Sequence, residues 1–356
     1  MSERRVRIVV VDDSAVARKF LRDILSARDD FEVVAIARDG IDALERIAEL
    51  EPDVVTLDLV MPNLDGVGVL EALKDRPNRP EVVVVSMSGD DSELGVAALA
   101  AGAFEVVKKP TALPTQRFFE LSEELCEKVL AAARRRGRSA EARGAVGVAP
   151  SAEPSVPSDE TDSRPPSTVR LVVIGASTGG PQALTQIVRA LPANFPVPIA
   201  IVLHMPEGYT EAFARRLDAD CALHVSEASE GLSLRPGAVV VARAGMHLTL
   251  ATASERALVV ELAITPLGTP HRPSVDVLFE SAARALGGRV LGVVLTGMGS
   301  DGLAGSRAIR NAGGQVLTEA ERSCVVYGMP RSVVEAGLSS AEAPIERMAT
   351  LIQRNL

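Results

Sequence analysis

Carboxylates, a hydroxyl and an ammonium close four apolar runs in the first third of this 356-residue sequence. Asp12 and Asp13 follow "RIVVV", Asp58 follows "DVVTL", Ser86 follows "EVVVV" and Lys109 follows "EVVK". If these runs are parallel strands, all five groups gather at the C-terminal edge of one sheet, where doubly wound sheets bind ligands. Clustered carboxylates repel one another unless a cation sits among them, and Mg²⁺, which takes oxygen ligands, suits Asp12, Asp13 and Asp58. A carboxylate beside that ion, a hydroxyl and a lysine makes Asp58 an acceptor for a phosphoryl group. Its added charge of about −1.5 to −2 would be neutralised by those neighbours. Helix capping explains one aspartate at a strand end, but not five groups at the ends of four strands.

A second set starts at the midpoint, in "VIGASTGGP" (Val173 to Pro181). Gly175, Ser177 and Gly179 satisfy the G-x-S-x-G spacing of a strand-to-helix turn that presents a nucleophilic serine. The same letters nearly satisfy a dinucleotide fingerprint, with Ser177 in place of its second glycine. On spacing alone a nucleophile, a phosphate loop and a plain helix cap stand level. A nucleophile needs a base, and there are four histidines to choose from. His204 ends "PIAIVLHM", the next strand after the serine's, and so is expected at the same sheet edge. His224 and His247 sit in alternating patterns that read as small strands with structural histidines. His271, in "GTPHRPSVD", is a loop residue able to line the site. The base needs an acid to hold its tautomer, and "VLGVVLTGMGSDG" supplies Asp301 after another parallel strand. The order Ser, His, Asp differs from the Ser, acid, His order of α/β-hydrolases.

The elements that must position these groups alternate. Strands are expected at 7–11, 32–37, 53–57, 81–85 and 105–108, separated by patterns such as "SAVARKFLRDILSAR" and "GIDALERIAEL", whose apolar residues recur at three and four. They predict a doubly wound, five-stranded parallel domain over 1–133. From Arg134 to Thr168, Ala, Ser, Pro, Gly and charge replace large apolar residues, the composition of a flexible linker. Over 169–356 the α/β pattern restarts, giving a second doubly wound domain with a mainly parallel sheet. "LRPGAVVVARAGMHLTLATASERALVVEL" is expected to add a small antiparallel hairpin region. The fold class is therefore α/β, in keeping with 47% hydrophobic residues, few aromatics and no Trp. A net charge of −9 argues against nucleic acid as a partner. The apolar runs are too short for membrane insertion, and three scattered cysteines read as ordinary thiols of a cytoplasmic protein.

The first set, "VVDDS", "DVVTLDLVMPNLDG" and "KKP", resembles the receiver domain of two-component response regulators, although Val106 stands where many receivers carry an aromatic. The second, with "GASTGGP", "HMPEGYTEAFARRLD", "RPSVDVLFESAA", "LTGMGSDG" and "VVYGMP" in order, resembles the CheB family of chemotaxis receptor methylesterases, which carry a receiver ahead of the catalytic domain. The segments "VVVARAGMHL" and "LTEAERSC" depart from that family's pattern. The resemblance implies a phosphorylation-activated hydrolase of glutamate γ-methyl esters on chemoreceptors, with glutamine deamidation as a second activity. It implies Ser177 as nucleophile, His204 as base, Asp301 as its orienter, and Thr178 and Met298 on the oxyanion side. It further implies a histidine kinase as phosphodonor, Asp58 as the phosphorylated residue, Ser86 and Lys109 as the receiver switch, and no metal in the catalytic half. The alternatives are a CheB-like paralogue in another receptor pathway, an output domain that only binds a partner, and, more distantly, a dinucleotide-binding oxidoreductase.

Overall fold

A computed structural model describes residues 4–86, 92–109, 115–144, 169–254 and 257–356. The N-terminal half runs β1 (Val6–Val11), α1 (Ala15–Ser26), β2 (Phe31–Ala37), α2 (Gly40–Leu50), β3 (Val54–Leu57), α3 (Gly66–Leu73), β4 (Glu81–Ser86), α4 (Ser92–Ala100), β5 (Glu105–Lys108) and α5 (Thr115–Gly144). Its strands lie in the order β2-β1-β3-β4-β5, all parallel. Both faces of such a sheet are covered, so the strands read as continuous apolar runs; Ile8, Val9, Val10 and Val11 have no exposed surface. Ser14, Asp39 and Asp65 accept first-turn N–H groups and so start α1, α2 and α3.

Helix α5 runs on to Gly144, so residues 134–144, expected in the linker, are helical instead. The segment "RRRGRSAEARG" is poor in large apolar residues but rich in Arg, with Ala besides, and these favour helix without needing a core. The remainder of the expected linker, 145–168, lies outside the described residues.

The C-terminal half contains β6 (Leu171–Ala176), α6 (Gly180–Ala190), β7 (Ile199–Leu203), α7 (Tyr209–Asp220), β8 (His224–Glu227), β9 (Ser233–Leu234), β10 (Ala238–Val241), β11 (His247–Ser254) and β12 (Ala257–Ala263). It continues through α8 (Val275–Leu286), β13 (Val290–Val294), α9 (Leu303–Asn311), β14 (Gln315–Glu319), α10 (Met329–Glu335), β15 (Ala341–Ala343) and α11 (Ile345–Arg354). Seven strands form a parallel sheet in the order β15-β14-β13-β6-β7-β10-β8. The antiparallel sheet is β11-β12-β9. Strand β10, expected among the antiparallel strands, instead extends the parallel sheet beside β7. Its "AVVV" is an unbroken apolar run, the mark of a strand buried on both faces rather than one.

The two halves pack together. The α4 backbone at Gly95 is so close to the Tyr209 ring of α7 that a Cβ there would collide with it. Glu93 pairs with Arg215 at 2.5 Å, and the Gln182 side chain donates to the Ala103 carbonyl at 2.9 Å. One apolar cluster includes Val96 and Leu99 of α4 together with Leu184 of α6 and Tyr209 of α7.

Candidate active site

The central strand β6 is flanked by β13 and β7, and the residues following these three neighbours include Ser177, Asp301 and His204. Ser177 occupies the turn between β6 and α6. The turn is made possible by Gly179, the N-cap of α6, at φ 79°, a conformation that side chains with a Cβ rarely adopt. Thr296 braces it from behind. Its carbonyl accepts the Ser177 N–H at 3.0 Å, its hydroxyl donates to the Thr178 carbonyl at 2.9 Å, and its own N–H is held by Glu319 at 2.9 Å. Glu319 is almost fully buried, which pushes its pKa up against the bonds from Thr296 and Ser323. Gly297 passes so close that a Cβ there would lie 2.7 Å from that of Ser177. The brace formed by Thr296 and Glu319 went unread in the sequence. Its signal was the threonine in "LTGMG" and the acid in "LTEAE".

His204 and Asp301 are joined, Nε2 to Oδ2, at 2.9 Å. The Asp301 carboxylate also accepts the N–H groups of Val275 and Asp276, at 2.8 and 2.9 Å, and the Ser274 hydroxyl at 2.9 Å. Burial works to raise its pKa, but the bonds from His204, Asp276 and Val275 overcome this and hold it at about 2. Asp301 is therefore ionised and can only accept, so the proton on this bond belongs to Nε2 and the lone pair to Nδ1. Nδ1 is buried and has no hydrogen-bond partner among the described residues, so the Ser177 hydroxyl is not bonded to it in this structure. His271 stacks on His204, centroid to centroid 4.0 Å and 24° apart. Although His271 keeps an exposed edge, desolvation and then the neighbouring His204 push its pKa down to about 4. His224 pairs with Asp218 at the surface. His247 is fully buried, in contact with the Pro266 carbonyl and accepting the Ser274 N–H.

Thr178 is buried in the same turn, and Met298 follows Gly297. The N–H groups of Thr178 and Met298 have no acceptor among the described residues. Met298 packs, with Val325 and Val326, against an apolar cluster of the N-terminal half that includes Phe104, Val107 and Leu125. From the same side the buried Glu105 carboxylate, which accepts the Val106 N–H at 3.1 Å, faces the Gly179 backbone. Burial raises its pKa, opposed by Lys128. The start of β5 is thus seated beside the turn that carries Ser177.

At the other sheet edge Asp12, Asp13 and Asp58 each offer a carboxylate oxygen, all within 4.8 Å of one another, a hard-donor set able to bind a metal ion. Lys109 Nζ bridges Asp12 at 2.6 Å and Asp58 at 2.7 Å. Burial raises the Asp58 pKa, Lys109 opposes this, and Asp12 adds to it. Ser86 is buried at the end of β4, and its carbonyl accepts the Lys109 N–H.

Residues 172–352 match the CheB methylesterase family and residues 8–116 the response regulator receiver domain. The chain is 58% identical to protein-glutamate methylesterase/protein-glutamine glutaminase 5 of Myxococcus xanthus, over 99% of this chain and 98% of that one. It belongs to the CheB methylesterase family. A relative in Geobacter metallireducens with the same activities in its name is 40% identical, covering 99% of both chains. The solved catalytic domain of the CheB methylesterase of Thermotoga maritima is 38% identical at a TM-score of 0.51, covering 53% of this chain and 99% of that one. These CheB likenesses account for the parallel sheet with its small antiparallel annex. No helix among the described residues is long and apolar enough to cross a membrane.

Proposed function

We propose that this chain is a phosphorylation-activated serine esterase that hydrolyses glutamate γ-methyl esters on chemoreceptors and deamidates receptor glutamines, acting in the cytoplasm in chemotaxis adaptation. The observation that carries the reading is the His204 to Asp301 bond beside the Ser177 turn. Ser177 Oγ attacks the ester carbonyl and passes its proton to His204 Nδ1, while Asp301 keeps Nε2 protonated and stabilises the imidazolium. The N–H groups of Met298 and Thr178 receive the oxyanion. His204 returns the proton to the departing methanol, then takes one from the water that releases the acyl group. Base catalysis supplies about 10² to 10⁴-fold and each oxyanion donor about 10² to 10³-fold.

In the receiver, Asp12, Asp13 and Asp58 would hold Mg²⁺, which when bound neutralises the phosphoryl group transferred to Asp58 from a histidine kinase. Lys109 and Ser86 take up the new charge. Before transfer, the receiver seated on Met298, Val325 and the Ser177 turn bars a receptor helix from the site. Phosphorylation need weaken that seat by only about 1.4 kcal/mol to change the open fraction tenfold.

The test is methanol release from methylated receptor membranes. Ser177→Ala is expected to lower it by at least about 10³-fold with the melting temperature unchanged. Retention of even a tenth of the wild-type rate would exclude the covalent route.

A further inference from the structure

Two carboxylates in the catalytic half are exchanged between two helix starts. Helix α8 begins at Val275 and α9 at Leu303. Asp301, just ahead of α9, reaches back to the first N–H groups of α8, those of Val275 and Asp276, at 2.8 and 2.9 Å. Asp276, in the first turn of α8, reaches forward to the start of α9, its Oδ1 accepting the N–H of Gly302 at 2.9 Å and of Gly305 at 2.7 Å. Each acid thus sits where the other helix directs its unpaired N–H groups and partial positive charge. Gly302 is the residue after Asp301. The backbone that carries the triad's acid is therefore tied on one side by its own carboxylate and on the other by Asp276.

Building on the esterase reading, we propose that Asp276 is a positioning residue for the reaction: by fixing the start of α9 it sets where Asp301 meets His204. A helix cap alone would add stability and leave the chemistry of the folded enzyme untouched. A positioning role ties catalysis to the charge on Asp276, because a charged acceptor holds N–H groups more tightly than a neutral one. That charge is poised to change. Burial, then repulsion from Asp301 and from Glu280 of the same helix, overcome the bonds from Gly305 and Gly302 and raise its pKa to about 6. The grip on α9 is therefore full above about pH 6 and relaxes as the pH falls through that value.

The experiment compares the full chain with Asp276→Ala and Asp276→Asn, activated by a small phosphodonor and Mg²⁺, on methylated receptor membranes from pH 5 to 8.5. The alanine removes both bonds. It is expected to lower kcat by about 10- to 100-fold, as a small misplacement of a catalytic group does, with KM within about twofold. The asparagine retains an oxygen acceptor of the same shape without the charge. Its kcat should be several-fold below wild type at pH 8, and the ratio should close toward one below pH 6. A second readout needs no substrate: the downfield ¹H NMR signal of the proton between His204 and Asp301, expected in wild type and broadened or lost in Asp276→Ala. Asp276→Ala that melts earlier but keeps kcat and the proton signal would reduce Asp276 to a cap and overturn the proposal. So would a wild-type to asparagine ratio that is flat across the pH range. If wild type itself released no methanol, the esterase reading would fail, while the proton signal would still decide the positioning role.

Discussion

Both sheets gather carboxylates at their C-terminal edge, yet the two sites treat them in opposite ways. Asp301 receives two backbone N–H groups, a hydroxyl and an imidazole, and is held at about 2. Asp58 is buried beside Asp12, takes one N–H from Leu59, leans on Lys109, and has its pKa raised. In the roles proposed for them, a carboxylate that must stay still and charged through a reaction is saturated with fixed donors. One that must accept a new group is left under-satisfied, so that an incoming cation and phosphoryl group have something to gain.

The contrast is most exposed to Asp301→Asn. The amide cannot accept the Nε2 proton in the same way, so His204 is expected to lose its productive tautomer and kcat to fall on the order of 10⁴-fold, as the same change does in a Ser-His-Asp triad. A drop below tenfold would mean that Asp301 is only a helix cap. The same two sites should also differ in how they bear on stability. Asp301 is lowered on folding, so its contribution is present above the ordinary aspartate value of 3.8 and lost as the pH falls from there toward about 2. Asp58 is raised, so its charge opposes folding once the pH rises above that ordinary range.

Asp58→Asn is the intermediate case. It should abolish activation by a phosphodonor, an effect of about tenfold, while leaving basal esterase activity in place. It should also raise the melting temperature by about a few degrees at neutral pH, since it removes an under-compensated buried charge. Destabilisation by this change, read by calorimetry with and without Mg²⁺, would show that Asp58 is as well satisfied as Asp301 and would erase the comparison.

The smallest effect is expected at His271. It stacks on His204 but donates nothing to Asp301, so His271→Ala should lower kcat by only about two- to fivefold. Loss comparable to that of His204→Gln, measured in the same methanol assay, would mean that the two imidazoles share the proton transfer.

Groups at the ends of apolar runs were the legible part of both sites. Strand alternation and edge location put Ser177, His204 and Asp301 within reach, because side chains following neighbouring parallel strands must share an edge. The spacing also picked out the receiver's acids and Lys109. What was hidden depends on contacts between distant segments. Nothing local marks Thr296 as the brace of the Ser177 turn, Ser274 and Val275 as the donors to Asp301, or Asp276 as partner of the α9 start. β10 lies in a stretch whose alternation suggests antiparallel strands, although its unbroken valines belong to a buried parallel strand. α5 outran its expected end because helix propensity persists where apolar content does not.

Met298, Val325 and Val326 pack on an apolar cluster of the receiver next to the Ser177 turn. If the seated receiver and a receptor helix compete for this surface, as proposed, the exclusion works in both directions with equal strength. Whatever factor phosphorylation contributes to receptor affinity, bound receptor must return to the equilibrium of phosphorylation at Asp58. A membrane crowded with methylated receptors would then act as more than a pool of substrate. By holding the esterase open it would bias the receiver toward its phosphorylated form, tying the state of the switch to the amount of work waiting for it.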